Sequence, residues 1–552
     1  MRTDIERAAL PRPSRERAGW VEWLVTTDHK RIGLLIIGTA TGLFLVFGAL
    51  ALTMRGQLAR PGQHILSPQL YNQVFTLHGT GMIALAITPF ALGLGVYLVP
   101  LQVGAPTIAA PRVTLFGYWL YAWGALALIL AAAVPEGAAV SWWGYTPLSN
   151  SQYSPGPGTN LWVIGVFLAA TGMLLLSTTV AWTILTKRAP GMTMLKMPVF
   201  TWSELATVLM GLPAFPSLLA AMIMIAMERA APAAFSSNSW NVLYQNLFWF
   251  YGHPVVYIMF FPFIGCVAEA LATFSGRRFF GYKGTVLALL AFAALSMAVW
   301  GHHLFASGQV VNDYYSMTSI LLTLPAGIEY FGMLGTIVGG RLRYRTPMLF
   351  ALAFIPQFLV GGLTGIMVAM PAFDYNANDS YFVVAHFHYT LFAGSVFGFF
   401  AGLYLWFPKA TGIMFSERLG RLHFVLMVIG TNVTFLPMFG LGILGMTRRI
   451  VTYPASEGFN ALNLTASIGA GIIGLSMLVF VYNMYWSARR KVPAPPDPWG
   501  GQTLEWATSS PPPRYNFNAR YPVPPIRSYA PLLDLREERE AKGTAAAQGG
   551  SR

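Results

Sequence analysis

About twelve continuous apolar runs, each long enough to cross a bilayer, limit the fold of this chain more than any other feature. They fall near residues 32–54, 74–99, 114–134, 160–186, 199–227, 243–270, 283–305, 315–339, 347–370, 382–408, 419–446 and 464–486. Runs this long and unbroken exclude a β-barrel, whose lipid-facing strands alternate apolar and polar residues. Only 10% of the 552 residues are charged, against about a quarter in a soluble domain. The expected fold is an all-α membrane protein, a bundle of about twelve transmembrane helices with both termini cytoplasmic.

The orientation comes from the basic residues. Arg12, Arg15, Arg17, Lys30 and Arg31 precede span one, and Lys187–Arg188, Arg277–Arg278, Arg341, Arg343, Arg345, Lys409, Arg418, Arg421 and Arg489–Lys491 occupy alternate loops. The remaining loops, such as 135–160 and 305–316, are nearly free of Lys and Arg, so the basic side faces the cytoplasm. The net charge of +14 is spread over these short loops and tails, which argues against a nucleic-acid partner. A single cysteine, Cys266, lies inside a span and leaves neither a disulfide framework nor a thiolate cluster. Three regions follow: an N-terminal cytoplasmic segment (1–31) without a cleavable signal pattern, the twelve-helix domain (32–488) and a Pro-rich cytoplasmic tail (489–552).

Chemistry enters through histidine. His29, His64 and His423 fall in loops or at span ends, whereas His78, His253, His302, His303, His386 and His388 fall within spans. An ionisable residue in a span is a functional candidate, and topology puts all six in the outer half of the bilayer. Arg448–Arg449 break the charge rule on that same side, and paired guanidinium groups suit carboxylates. Imidazole suits copper, iron and zinc. His386 and His388 stand about 200° apart on a helix, so span ten can serve one site on each side. The adjacent pair His302–His303 needs an unusual helix end to aim both rings at one ion. His253 offers a third ligand, and Tyr257 lies one turn after it on the same face.

These residues resemble the haem–copper respiratory oxidase superfamily, catalytic subunit I. The likeness runs from Thr27-Asp28-His29-Lys30 to Trp499-Gly-Gly-Gln-Thr-Leu-Glu-Trp506. Its strongest pieces are Trp249-Phe-Tyr-Gly-His-Pro-Val-Val-Tyr257, Trp300-Gly-His-His303 and Val384-Ala-His-Phe-His-Tyr389. The resemblance implies His78 and His388 as axial ligands of a low-spin haem (A or B) and His386 as the proximal ligand of a high-spin haem (A or O). It implies His253, His302 and His303 as copper B ligands, and Tyr257 as a tyrosine joined covalently to His253. Arg448 and Arg449, with Trp249, match the haem propionate periphery. Arg55 matches an arginine near a haem formyl group, and Asp379 a magnesium ligand whose preceding histidine is Asn378 here. The implied reaction reduces O2 to water with electrons from cytochrome c, in a bacterial cytoplasmic (inner) membrane. Implied partners are a subunit II with a dicopper centre and subunit III-like chains.

The proton routes depart from the resemblance. Val255 stands where common members carry Glu, Thr107 where they carry the acid at the first channel mouth, and Glu329 where they carry the lysine of the second channel. Ala326 and Ala268 replace that second channel's threonine and serine. Tyr251 resembles a tyrosine some members use instead of the Glu, although Gly252 replaces the serine beside it there. Glu204, Glu269 and Glu329 remain as carboxyls in the cytoplasmic half of spans, and the expectation is that Glu269 and Glu329 form a substitute route toward Tyr257. Proton pumping does not follow from these residues. A quinol oxidase is the nearest alternative. A nitric oxide reductase is disfavoured by Tyr257, and a twelve-span transporter by six histidines at one depth and by the lack of internal repeats.

Overall fold

The structure is a computed structural model that describes residues 19–235 and 237–549; Arg12, Arg15 and Arg17, used above for orientation, and most of the expected N-terminal segment lie outside them. Among the described residues twelve apolar helical spans cross the molecule, each within a few residues of its predicted run. Spans one to six are His29–Gln57, Pro68–Gln102, Pro111–Ala133, Pro157–Thr186, Val199–Ala230 and Asn238–Ser275. Spans seven to twelve are Tyr282–Ser307, Asn312–Ile337, Thr346–Val368, Tyr381–Thr411, Glu417–Ile443 and Asn460–Arg490. An even number of crossings places both described ends on one face, the basic face; the other is called the outer face.

Where helices touch, glycine lets their backbones approach. A Cβ at Gly124 of span three would lie 2.7 Å from the Ala169 nitrogen of span four, and one at Gly172 would lie 2.6 Å from the Gly117 oxygen. Spans eleven and twelve do the same, with a Cβ at Gly469 running into the backbone nitrogen of Thr434. Lipid gives helices no hydrophobic reason to associate, so such close small-residue contacts carry the packing.

Several spans are not continuous α-helices. Span six is broken twice, into Asn238–Gly252, Pro254–Ile258 and Phe261–Ser275. Pro254 and Pro262 each lack an N–H and crowd the carbonyl four residues back. Tight i→i−3 bonds take up the slack, Val256 N to His253 O and Phe260 N to Tyr257 O, both 3.0 Å. Span seven ends as a 3-10 turn over Trp300–Ser307. Spans two and ten each widen into a π-turn, Gly81–Ile87 and Leu391–Val396, about one turn after their histidines.

Beyond Arg490 the chain returns across the basic face. Trp499, Leu504, Glu505, Trp506, Thr508 and Asn516 are buried there, and Trp499 Nε1 donates to Leu405 O at 2.9 Å. A helix, Pro531–Gly549, follows.

Replacing Gly469 with Ala forces spans eleven and twelve apart. The expected cost is about 1–3 kcal/mol, read as an earlier denaturation midpoint of the purified protein in detergent.

Candidate metal centre

Six histidines meet in two groups near the outer face. In the first, His253, His302 and His303 bring one ring nitrogen each within 4.8 Å of one another. His303 Nε2 lies 3.1 Å from both His253 Nδ1 and His302 Nε2. Both His302 and His303 lie in the 3-10 end of span seven, outside regular α-helix. Gly301 is required in that turn, because a Cβ there would meet the Tyr315 ring. The break at Pro254 sets His253 at the end of its own helical piece.

Hydrogen bonds fix the tautomers. Ser319 Oγ donates to Tyr315 O at 2.5 Å, so it accepts from His302 Nδ1 at 2.7 Å, and His302 Nε2 keeps its lone pair. Three imidazole nitrogens therefore converge with too few protons to separate their lone pairs. That donor set fits a copper ion. His253 Nε2, on the far side of its ring, is buried without a hydrogen-bond partner. The Tyr257 ring lies beside it, 4.8 Å between centroids. Trp249 stacks on His303 at 3.9 Å and 16°.

Span ten divides the two groups. His386 Nδ1 donates to Gly361 O of span nine at 3.1 Å, with Thr364 Oγ1 at 3.2 Å, and its ring is an electrostatic neighbour of the three clustered histidines. His388 points the other way, stacked on Phe435 of span eleven at 4.5 Å, and is a neighbour of His78 and Arg55. His388 Nδ1 donates to Val384 O and His78 Nδ1 to Phe47 O, both at 2.9 Å. A carbonyl only accepts, so in all three rings Nδ1 carries the proton and Nε2 is free to bind metal. This fits an iron held by two imidazoles on one side of span ten and by one on the other. Arg55 is buried; its Nη2 donates to Asn463 O at 2.9 Å while Nε has no partner, which suits an acceptor such as a formyl oxygen.

Above the rings two outer loops are pinned together. Ser380 and Thr447 form an isolated antiparallel bridge, and Arg448 N donates to Asp379 O at 2.8 Å. Asp379 Oδ1 takes both guanidinium groups, at 2.6 Å from Arg448 and 2.7 Å from Arg449. Asp379 and Arg449 hold left-handed backbone, φ 56 and 70, a strained conformation for these residues that the bridge and ion pairs maintain. Both arginines lie over the Trp143 ring, at 5.5 and 4.1 Å. Burial opposes ionisation of Asp379, but Arg448 and Arg449 outweigh it and hold its carboxyl below the ordinary value. Burial, then Arg448, brings Arg449 down to about 10. Asp374, on the short helix Pro371–Ala377, is pushed up to about 7 by burial against the pull of Arg448.

The proton-route candidates are dispersed. Glu204 and Tyr251 are buried near span five. Glu269 Oε1 accepts from Phe200 N of span five at 3.5 Å. Glu329 is buried on span eight, and Gly332, one turn on, packs on Thr285 and Phe279 near span seven. Among the described residues Glu269 and Glu329 share no hydrogen bond and are not charged neighbours. Sequence reading missed Ser319, Thr364, Asp374 and Trp143. Ser319 and Thr364 look like ordinary span hydroxyls, and only Trp142–Trp143, an aromatic pair in an outer loop, carried a signal.

The pattern of the family described as cytochrome c and quinol oxidase polypeptide I matches residues 31–488. The chain is 47% identical to a probable cytochrome c oxidase subunit 1-beta of Nocardia farcinica, over 96% of this chain and 91% of that one. It is 44% identical to the cytochrome c oxidase subunit 1 of Corynebacterium efficiens, over 94% and 90%. Its fold resembles a chain of a haem–copper terminal oxidase dimer solved by cryo-electron microscopy, with TM-score 0.70, 19% identity and 84% of each chain covered.

The raised Asp374 carboxyl sets a pH dependence. Unfolded, it titrates near its ordinary value of about 3.9; folded, it holds its proton to about 7. Its contribution to stability is full at low pH and is lost as pH rises through about 7. Thermal inactivation should therefore quicken between about pH 5 and about pH 8, and Asp374→Asn should flatten that slope.

Proposed function

Since the chain belongs to the family of cytochrome c and quinol oxidase polypeptide I, we propose that it is the catalytic subunit of a terminal respiratory oxidase that reduces dioxygen to water. The convergence of the His253, His302 and His303 nitrogens, with His386 facing them across the site, carries this reading. When bound, a low-spin haem, a high-spin haem and copper supply electron transfer and the four-electron reduction of dioxygen. His78 and His388 would hold the first iron, His386 the second, and His253, His302 and His303 the copper. The backbone carbonyls of Phe47, Val384 and Gly361 hold these rings in their metal-binding tautomer. Span ten joins the two haem sites through one backbone. His253 Nε2, free of hydrogen bonds, is the atom available for joining to Tyr257, whose hydroxyl can give a proton at the reacting centre.

Arg448, Arg449 and Trp249 border the haem propionates. With both arginines on Oδ1, Asp379 Oδ2 is available as one oxygen ligand to a magnesium ion completed by water and a second subunit. The partly unpartnered Arg55 favours haem A at the low-spin site, with haem A or O at the other. Glu204, Glu269, Glu329 and Tyr251 are the buried groups from which proton routes toward Tyr257 are built. The relatives' names favour cytochrome c over a quinol as donor, and a subunit II with a dicopper centre and a subunit III-like chain would be its partners. The complex resides in a bacterial cytoplasmic membrane.

Two variants test the assignment. His302→Asn should lose copper and oxygen consumption while keeping the low-spin haem spectrum; His78→Asn should lose that spectrum while keeping copper. Oxygen-electrode assays with reduced cytochrome c and then a quinol identify the donor, and consumption with the quinol alone would contradict the donor proposed here.

A further inference from the structure

The basic face is closed by the strand of chain around Trp499–Asn516, which inserts a carboxyl into the bundle. Glu505 is wholly buried. Its Oε1 accepts from Gln102 Nε2 of span two at 3.1 Å and from Trp406 Nε1 of span ten at 3.0 Å. Gln102 Oε1 in turn accepts from Thr201 Oγ1 of span five at 2.8 Å. The neighbouring residue of span five, Phe200, gives its N–H to Glu269, and Glu505 is the charged neighbour of Glu269. One turn further out on span five lies Glu204, wholly buried, with no hydrogen-bond partner on either oxygen. Gly95 of span two makes room for it, since a Cβ there would lie 2.6 Å from a Glu204 oxygen. Cys266 has both Glu204 and Glu269 as neighbours, which places the three carboxyls in one file from the basic face inward.

Among the described residues no cation bonds to this file. Lys409, buried nearby, gives its hydrogens to the carbonyls of Pro496, Thr508 and Ser509 at 2.8, 2.7 and 3.2 Å and lies over the Trp506 ring. It feels Glu505 and Asp497 only at a distance. Buried carboxylates without a bonded cation are costly. Burial raises the Glu505 carboxyl, against hydrogen bonds from Thr503, Gln102 and Trp406. Carboxyls serving only as helix glue would have their oxygens satisfied, and Glu204 has neither. Water is the natural bridge between acids so placed.

We propose that Glu505 is the group that takes up protons at the basic face and passes them through Glu269 to Glu204, on the way to the site between His253 and His386. The proposal rests on the oxidase reading. Each transfer moves a proton from water or one carboxyl to the next and returns the donor to its starting state when the next proton arrives. Electrons come only from the oxidase reaction.

The test uses the purified complex with its metals and partner subunits. Glu505→Gln keeps an oxygen for Gln102 and Trp406 but cannot release a proton. With haem and carbon monoxide spectra unchanged, its oxygen consumption and proton uptake should fall about tenfold or more. Glu505→Asp should recover part of the rate and show a larger solvent deuterium effect than wild type. Glu537→Gln, in a surface ion pair with Arg278, should change neither. Wild-type turnover and proton uptake in Glu505→Gln would overturn the proposal. If Glu505→Gln does not assemble, Glu505→Asp decides, and an unchanged rate with an unchanged deuterium effect overturns it. A wild-type complex that consumes no oxygen with any donor would overturn the oxidase reading and this proposal together.

Discussion

Inside a bilayer every backbone N–H and C=O needs a partner within the protein, so a span departs from α geometry only where neighbouring groups take over what is released. The departures here are concentrated. Spans two, six, seven and ten carry the six histidines, and each is interrupted by a π-turn, a proline break or a 3-10 end. Span eight, broken at Leu322 before Pro325, is the other interrupted one. Neighbouring carbonyls orient the rings: Phe47 O of span one, Gly361 O of span nine and Val384 O of span ten each accept from an imidazole Nδ1.

Much of this was legible in the chain. Apolar length alone located the spans, because hydrophobic thickness is a fixed quantity. The two-residue spacing of His386 and His388 foretold rings on opposite sides, and they face spans nine and eleven. The difficulty of aiming His302 and His303 together foretold an abnormal helix end, which the 3-10 turn provides. The individual metal roles were not derivable from spacing and rest on family likeness.

The groups that orient the ligands were less legible, since a hydroxyl such as Ser319 or a carbonyl such as Phe47 O has no distinctive pattern along the chain. Contacts between remote segments were equally hidden. Nothing local joins Asp379 to Arg448, or Glu505 to Gln102, 403 positions apart. The face that a buried carboxyl takes was hidden in the same way: Glu269 accepts from Phe200 N of span five.

The proposed function requires two haem sites of different coordination on the two sides of span ten. A carbon monoxide difference spectrum of the reduced, purified complex tests it most directly. The haem held by His386 alone should bind carbon monoxide and shift, and the haem held by His78 and His388 should not. A spectrum in which both haems shift, or neither does, would contradict the account.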